Sequence, residues 1–310
     1  MKYFFSFLSL WVVLFFMSCA ENVEYAGQGE EKFLVISSKR GHGLGNRLRA
    51  LASGYALAKQ TGRTFVIDWQ ASSDEVPVSF NDLFKNEIST PEKQTLHLNR
   101  ARKINVNSLG RDGLVEISVD KDDAARVIQI ESYFRFINEG LSFDDIQKDY
   151  VDFLKKLSPV AEIENTVEKF SESLSDVSIE NRIGVHFRSF TLPSDSNFKA
   201  KNPLEVRRTT MLNVMEEQSR QGQQTYFFVA TDDPEMLLLM KQKFGSKIIS
   251  REKTVDRSTL GGMQDALADW YLLARTNRVI GTIDSSFSDE AAFLTTTGQK
   301  IGVGPGFFHD

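Results

Sequence analysis

One cysteine, Cys19, is all that the 310 residues contain, so the chain forms no internal disulfide and builds no cysteine-based metal site. Histidine is almost as scarce. His42, His97, His186 and His309 are the whole set, and no His-Glu-x-x-His pattern places two of them on one helical face, so metal is not expected. Positive charge is in deficit, with 37 Lys and Arg against 42 Asp and Glu and a formal net charge of −5. A nucleic-acid partner calls for a basic excess and is therefore not expected. Proline (7) and glycine (20) are too few, and hydrophobic residues at 41% too many, for a disordered or low-complexity chain.

Long apolar runs are also missing, with one exception at 3–18, YFFSFLSLWVVLFFMS. Its 16 residues fall short of the about 20 that span a bilayer, and it reads as a signal peptide occupying 1–18. FMSC at 16–19 sets a small residue before the only cysteine, as in the lipobox of bacterial lipoproteins, with Phe16 in place of the usual leucine. The expectation is an acylated Cys19, a polar tether over 19–32 and a lipid-anchored protein of the bacterial cell envelope. A signal anchor, or the lumen of a secretory pathway, is the alternative.

What remains is long for one core and predicts two domains, 33–165 and 166–310, facing a cleft. FLVIS (33–37) is a continuous apolar run entering a glycine-rich loop; apolar residues then recur at helical spacing from Asn46 to Gln60, and TFVIDW (64–69) follows. Strand, loop, helix and strand in that order are a βαβ unit on a parallel sheet. Between about 70 and 180 the pattern is less legible, with short strands expected at 114–119 and 126–130 and helices around 144–157 and 160–174. The alternation resumes with RIGVHF (182–187), a helix near 203–221, TYFFVA (225–230), a helix over 233–245, KIIS (247–250), a helix over 266–276 and RVIGT (278–282). The fold class expected is α/β, two Rossmann-like domains around a central cleft.

Three places could carry chemistry. Gly41, Gly43 and Gly45 ahead of Asn46 let a sugar or phosphate approach a helix N-terminus, with Asn46 as the cap. With Asp68 ending the next strand, the same loop also admits an NAD-dependent oxidoreductase, although Asn46 replaces the third glycine of that fingerprint. His186 and Arg188 stand two apart at a strand end, so both point to one side; arginine presents a donor fork to phosphate, and histidine can bond a nucleoside. Asp232 and Asp233 end another strand, Asp265 and Asp269 lie four apart on one helical face, and Ser285 and Ser286 form a hydroxyl-rich loop suited to a diphosphate.

In that order, GLGNRLRALASGYALAKQTGRTFVIDW (43–69), VHFR (185–188), FFVATDD (227–233) and ADWYLLARTNRVIGT with IDSSFS (268–288) resemble the GDP-fucose-dependent fucosyltransferases. The similarity is greatest to the nodulation-type α1,6 enzymes, and the protein O-fucosyltransferases share much of the pattern. The resemblance implies a GT-B fold, an N-terminal acceptor domain, a C-terminal donor domain, and metal-independent transfer with inversion, using GDP-fucose and no further cofactor. It implies Arg188 on the β-phosphate, His186 and Asp269 on the guanine or its ribose, and Ser285 or Ser286 on the diphosphate. Ser189 departs from it, standing where the core α1,6 enzymes carry a second arginine. No catalytic carboxylate aligns, which leaves Asp195 and Glu205 as candidates to deprotonate a glycan hydroxyl. A non-catalytic surface lipoprotein that binds glycans or nucleotides is the remaining reading.

Overall fold

The computed structural model describes residues 29–38, 43–71, 76–106, 114–189, 203–221, 224–253, 256–283 and 285–304. The expected signal peptide, Cys19, most of the tether, Gly41, His42 and Asp195 lie outside the described residues.

Phe33, Leu34, Val35 and Ile36 are all buried, which an apolar run permits only in a strand covered on both faces. This strand, β1 (Phe33–Ser38), is central in a four-stranded parallel sheet with β2 (Thr64–Trp69), β3 (Arg102–Asn105) and β5 (Val127–Glu131), in the order β2-β1-β5-β3. Helix α1 (Leu44–Thr61) makes the crossover from β1 to β2 and buries Leu44, Leu48, Leu51 and Leu57. It ends where Gly62 turns left-handed at φ 64° and its N–H reaches Ala58 and Lys59 oxygens. A small parallel pair, β4 (Leu114–Ile117) with β6 (Arg135–Asn138), stands beside this sheet. Helices α2 (Phe143–Lys156) and α3 (Ala161–Glu172) follow, the first opened by a reciprocal Ser142–Asp145 cap.

The second sheet is also wholly parallel. It contains β7 (Arg182–Phe187), β8 (Tyr226–Thr231), β9 (Ile248–Ile249), β10 (Arg278–Thr282) and β11 (Lys300–Val303), in the order β11-β10-β7-β8-β9. Its helices are α4 (Leu204–Gln221), α5 (Pro234–Phe244), α6 (Leu260–Ala274) and α7 (Ser286–Ala292). Met211, Met215, Met236 and Met240 from α4 and α5 cover one face. Trp270 and Leu273 of α6 and Ala291 of α7 belong instead to a cluster that continues into Leu48, Leu51, Phe136 and Tyr150 of the first half. The expected boundary at 165/166 falls inside α3, which packs on α6.

Charge joins the same faces. Glu290 on α7 is fully buried and accepts hydrogen bonds from Arg49 Nε (2.9 Å), Arg135 Nη2 (2.9 Å) and the Tyr150 hydroxyl. Asp289 beside it accepts from Arg49 Nη2 (2.7 Å) and from Lys300. Burial alone would raise the Asp289 carboxyl, but Lys300 and Arg49 outweigh it and hold it below its ordinary value. The Arg135 guanidinium also lies over Phe143 and Phe293, 4.9 Å from each ring centroid. One carboxylate thus ties α1, α2 and β6 to α7.

The structure adds strands β3, β6 and β11 to those expected and places three other features differently. Helix α1 begins at Leu44, with Gly43 as its N-cap, so Asn46 lies inside the first turn and is not the cap. Helix α6 begins at Leu260 rather than 266, because Thr259 caps it by accepting from the Gly262 N–H. The serine stretch after β10 is not a loop: Ser285 is the N-cap of α7 and Ser286 its first residue.

Candidate functional site

Parallel strands of an α/β sheet leave their carboxyl ends beside the N-termini of the helices that follow, and ligands settle there. A pocket lies at that edge of the second sheet and reaches across to the first half. It is lined by Gly43, Leu44 and Gly45 of α1, His186 and Arg188 after β7, Ala230, Thr231 and Asp232 after β8, and Lys253 and Arg257 from the loop before α6. Gly262, Met263, Ala266 and Asp269 of α6 and Ser285, Ser286 and Phe287 of α7 complete it. Arg188, His186, Asp232, Asp269, Ser285, Ser286, Gly43 and Gly45 therefore share one cavity, although they come from five stretches of sequence.

His186 is packed rather than solvated, at 8% exposure. Its ring lies on Phe287, with centroids 4.9 Å apart at 36°, and Ser285 Oγ stands 3.4 Å from Nδ1. Burial, reinforced by Lys300, Arg188, Lys253 and Arg257, pushes the imidazole well below its ordinary value of 6.5. It is neutral at pH 7, with one ring nitrogen able to donate and the other to accept.

The backbone that carries Arg188 is held from three sides. Its N–H donates to Thr282 Oγ1 (3.0 Å), its carbonyl accepts from Arg207 Nη1 (2.8 Å), and the next N–H, of Ser189, donates to Asp232 Oδ1 (2.6 Å). Arg207 is itself buried at 5% exposure on α4 and also reaches the Ser189 carbonyl at 3.4 Å. A guanidinium on a braced backbone is pre-organised for an anion.

Gly45 has a different reason from the one the sequence offered. A Cβ there would come within 2.5 Å of the Phe287 nitrogen and 2.7 Å of the Ser286 carbonyl carbon. The group that approaches this glycine is the backbone of α7, so Gly45 sets the spacing of two helix N-termini that line the pocket. Gly262 permits a comparable approach, since its Cβ would meet the Asp256 carbonyl oxygen at 1.7 Å.

Four other sequence candidates stand elsewhere. Asp233 is not in the pocket lining; its carboxylate caps α5 through the Glu235 and Met236 N–H groups and pairs with Arg208, both contacts buried. In this structure Asp233 caps the helix that opens with Pro234, apart from the pocket lining. Glu205 projects from α4 with its side chain 77% exposed and pairs with Arg208, outside the lining. A solvated helix partner of this kind is not placed to take a proton in the pocket. Asn46 is likewise not a lining residue. Asp265 is engaged by Arg251. Among the described residues, no group of three His, Cys, Asp or Glu is arranged to hold a metal, and no helix is long and apolar enough to cross a membrane.

Sequence reasoning passed over Lys253, Arg257, Thr282, Arg207 and Phe287. Arg251, Lys253 and Arg257 are three cations within seven residues of an acidic chain, directly after the strand KIIS. That cluster was the available signal for the first two. Nothing local marks Arg207, whose part depends on how α4 docks.

No protein-family model matches the chain, and no curated protein is detectably similar to it. Solved structures are similar. NodZ α1,6-fucosyltransferase from Bradyrhizobium superposes with TM-score 0.59 at 21% identity, over 86% of this chain and 94% of that one. The fold is that of solved fucosyltransferases. An Arabidopsis thaliana FUT1 variant in complex with GDP gives TM-score 0.58 at 16% identity over 91% of this chain and 72% of that one. POFUT1 gives 0.53 at 13% over 90% and 100%. NodZ has also been crystallised with GDP and soaked with GDP-fucose.

Proposed function

We propose that this protein transfers fucose from GDP-fucose to a hydroxyl of a glycan or glycoconjugate, with inversion and without a metal ion. The observation that carries the reading is the meeting of His186, Arg188, Asp269 and Ser285–Phe287 in one pocket, in a chain with the fold of GDP-fucose enzymes. Each group has matching chemistry. Arg188 offers a fork to a β-phosphate, the Ser285 and Ser286 hydroxyls bond phosphate oxygens, and Asp269 can accept from the adjacent ring and exocyclic N–H groups of guanine. Uracil lacks that paired donor edge. Under this reading the second sheet holds the donor and the first half presents the acceptor, as in a two-domain GT-B enzyme.

The step forms a bond from the acceptor oxygen to the anomeric carbon and breaks the bond from that carbon to the β-phosphate oxygen. GDP leaves with the electron pair, and the acceptor proton passes to a base. Negative charge grows on the departing diphosphate, where Arg188 is braced to receive it. With Glu205 turned outward on Arg208, Asp195 is our remaining candidate for the base. We further propose that Cys19 is acylated and holds the enzyme at a bacterial membrane.

The test is GDP release from GDP-fucose in the presence of an acceptor panel, with GDP, UDP and NAD compared by thermal shift. Stabilisation by GDP over UDP, and turnover that survives EDTA, are expected. Stabilisation by NAD would favour an oxidoreductase, and GDP binding without turnover a non-catalytic binder.

A further inference from the structure

We propose that Lys253 is a nucleotide-binding residue that leaves Asp269 for the donor diphosphate, so that base recognition and diphosphate recognition are coupled; the inference rests on the GDP-sugar reading of the pocket. Asp269 is almost fully buried, and cations hold both of its oxygens: Arg251 Nε donates to Oδ1 at 3.1 Å, and Lys253 Nζ bonds Oδ2. The two cations differ in what else restrains them. Arg251 is fixed by Asp265, through Nη1 to the carboxylate (2.8 Å) and Nη2 to the carbonyl oxygen (2.9 Å). Lys253 reaches Asp269 as a single ammonium on a flexible four-carbon stem, and it lines the same cavity as Arg188 and His186.

A purine edge that presents two adjacent N–H donors to Asp269 competes for the oxygen that Lys253 holds. Arg251 stays, because its fork is occupied on both sides. The displaced ammonium is left in a poorly solvated pocket and requires an anion. The diphosphate of the same ligand supplies one, in the cavity that Lys253 lines together with Arg188 and His186. A ligand with the base but no phosphates displaces Lys253 and gives it no new partner. A ligand with both satisfies every charge.

The experiment is calorimetric titration of wild type, Lys253→Met and Lys253→Arg with GDP, guanosine and inorganic pyrophosphate, with circular dichroism and urea midpoints to establish folding. In Lys253→Met, GDP and pyrophosphate should each bind about 10-fold more weakly or worse, the loss of one charge-assisted hydrogen bond. Guanosine should bind as well as to wild type, or better. Lys253→Arg should recover part of the pyrophosphate affinity. Guanosine weakening in parallel with GDP would make Lys253 a mere prop for Asp269 and overturn the proposal, as would unchanged pyrophosphate binding. If wild type binds pyrophosphate through Lys253 yet does not prefer GDP to UDP in the thermal-shift comparison, the GDP-sugar reading fails while Lys253 remains a phosphate ligand. Preference for GDP without any loss in Lys253→Met gives the reverse, and a wild type that binds none of the three overturns both.

Discussion

Gly45 and Phe287 approach so closely that a Cβ on residue 45 would lie 2.5 Å from the nitrogen of residue 287. The contact is backbone against side-chain position, so no rotamer change relieves it. Gly45→Ala must push α7 away from α1, and α7 carries Ser285, Ser286 and the ring that packs on His186. A destabilisation of about 1–3 kcal/mol is expected from overpacking, together with weaker GDP binding. Urea midpoints and a GDP titration check the two effects together. Wild-type affinity in the variant would mean that the helix spacing does not govern the pocket.

Glu290 tests whether the two halves are joined by charge as well as by apolar contact. Glu290→Gln keeps the volume but leaves Arg135 and Arg49 facing a neutral amide in a buried position. Breaking such a network from one side should cost about 3–5 kcal/mol. Thermal unfolding of wild type and variant reads this directly. An unchanged Tm would show that Asp289 and the ring faces suffice for the two arginines.

Much of this architecture was legible in the sequence. The apolar run of β1, the helical spacing of α1, and the Asp233-Pro234 start and Gly245 end of α5 are local signals; β1 and α5 stand where expected, and α1 starts two residues earlier. Strands β3 and β6 are only four residues long and mix charged with apolar residues, so no period stands out. Helix α6 begins six residues before the start expected at 266 and runs through Gly261 and Gly262, two poor helix formers, because the approach of the Asp256 carbonyl requires a glycine at 262. The site divides in the same way. His186 and Arg188 follow from strand alternation. Asp233 caps α5 outside the pocket lining, and in sequence a cap and a ligand-binding carboxylate look alike at a strand end. Glu205 is exposed and paired with Arg208, a placement that depends on how α4 docks and that no local pattern marks.

The anchoring proposal has a direct test in Cys19. Replacing Cys19 by Ser in the full chain should abolish incorporation of labelled fatty acid and leave the precursor uncleaved by the lipoprotein peptidase. A wild-type protein that takes up no lipid would end the proposal.

Arg188 should matter more to turnover than to binding. Lysine keeps the charge but loses the fork, so Arg188→Lys should be impaired nearly as badly as Arg188→Ala. Both should lose about 10²-fold or more in kcat, the usual effect of deleting one transition-state donor. GDP affinity should fall by a smaller factor, because the charge that Arg188 meets is greatest as the sugar departs. GDP-release rates and GDP titrations, read beside circular dichroism, separate the two. Wild-type rates in either folded variant would remove Arg188 from the step.

His186 predicts the sign of a pH effect. Its imidazole is pushed well below the ordinary 6.5, first by burial and then by Lys300, Arg188, Lys253 and Arg257, so the folded protein holds it neutral while the unfolded chain protonates it near 6.5. Below that pH the unfolded state binds the extra proton, and the stability that His186 contributes is lost as pH falls from 6.5 toward the depressed folded value. Above 6.5 the contribution is complete and flat. His186→Asn should remove this part of the slope, so the urea midpoints of wild type and variant should draw together as pH falls from 7.5 to about 5, the span in which an ordinary histidine titrates. Parallel curves through that window would mean that His186 titrates alike in both states, against its burial on the Phe287 ring.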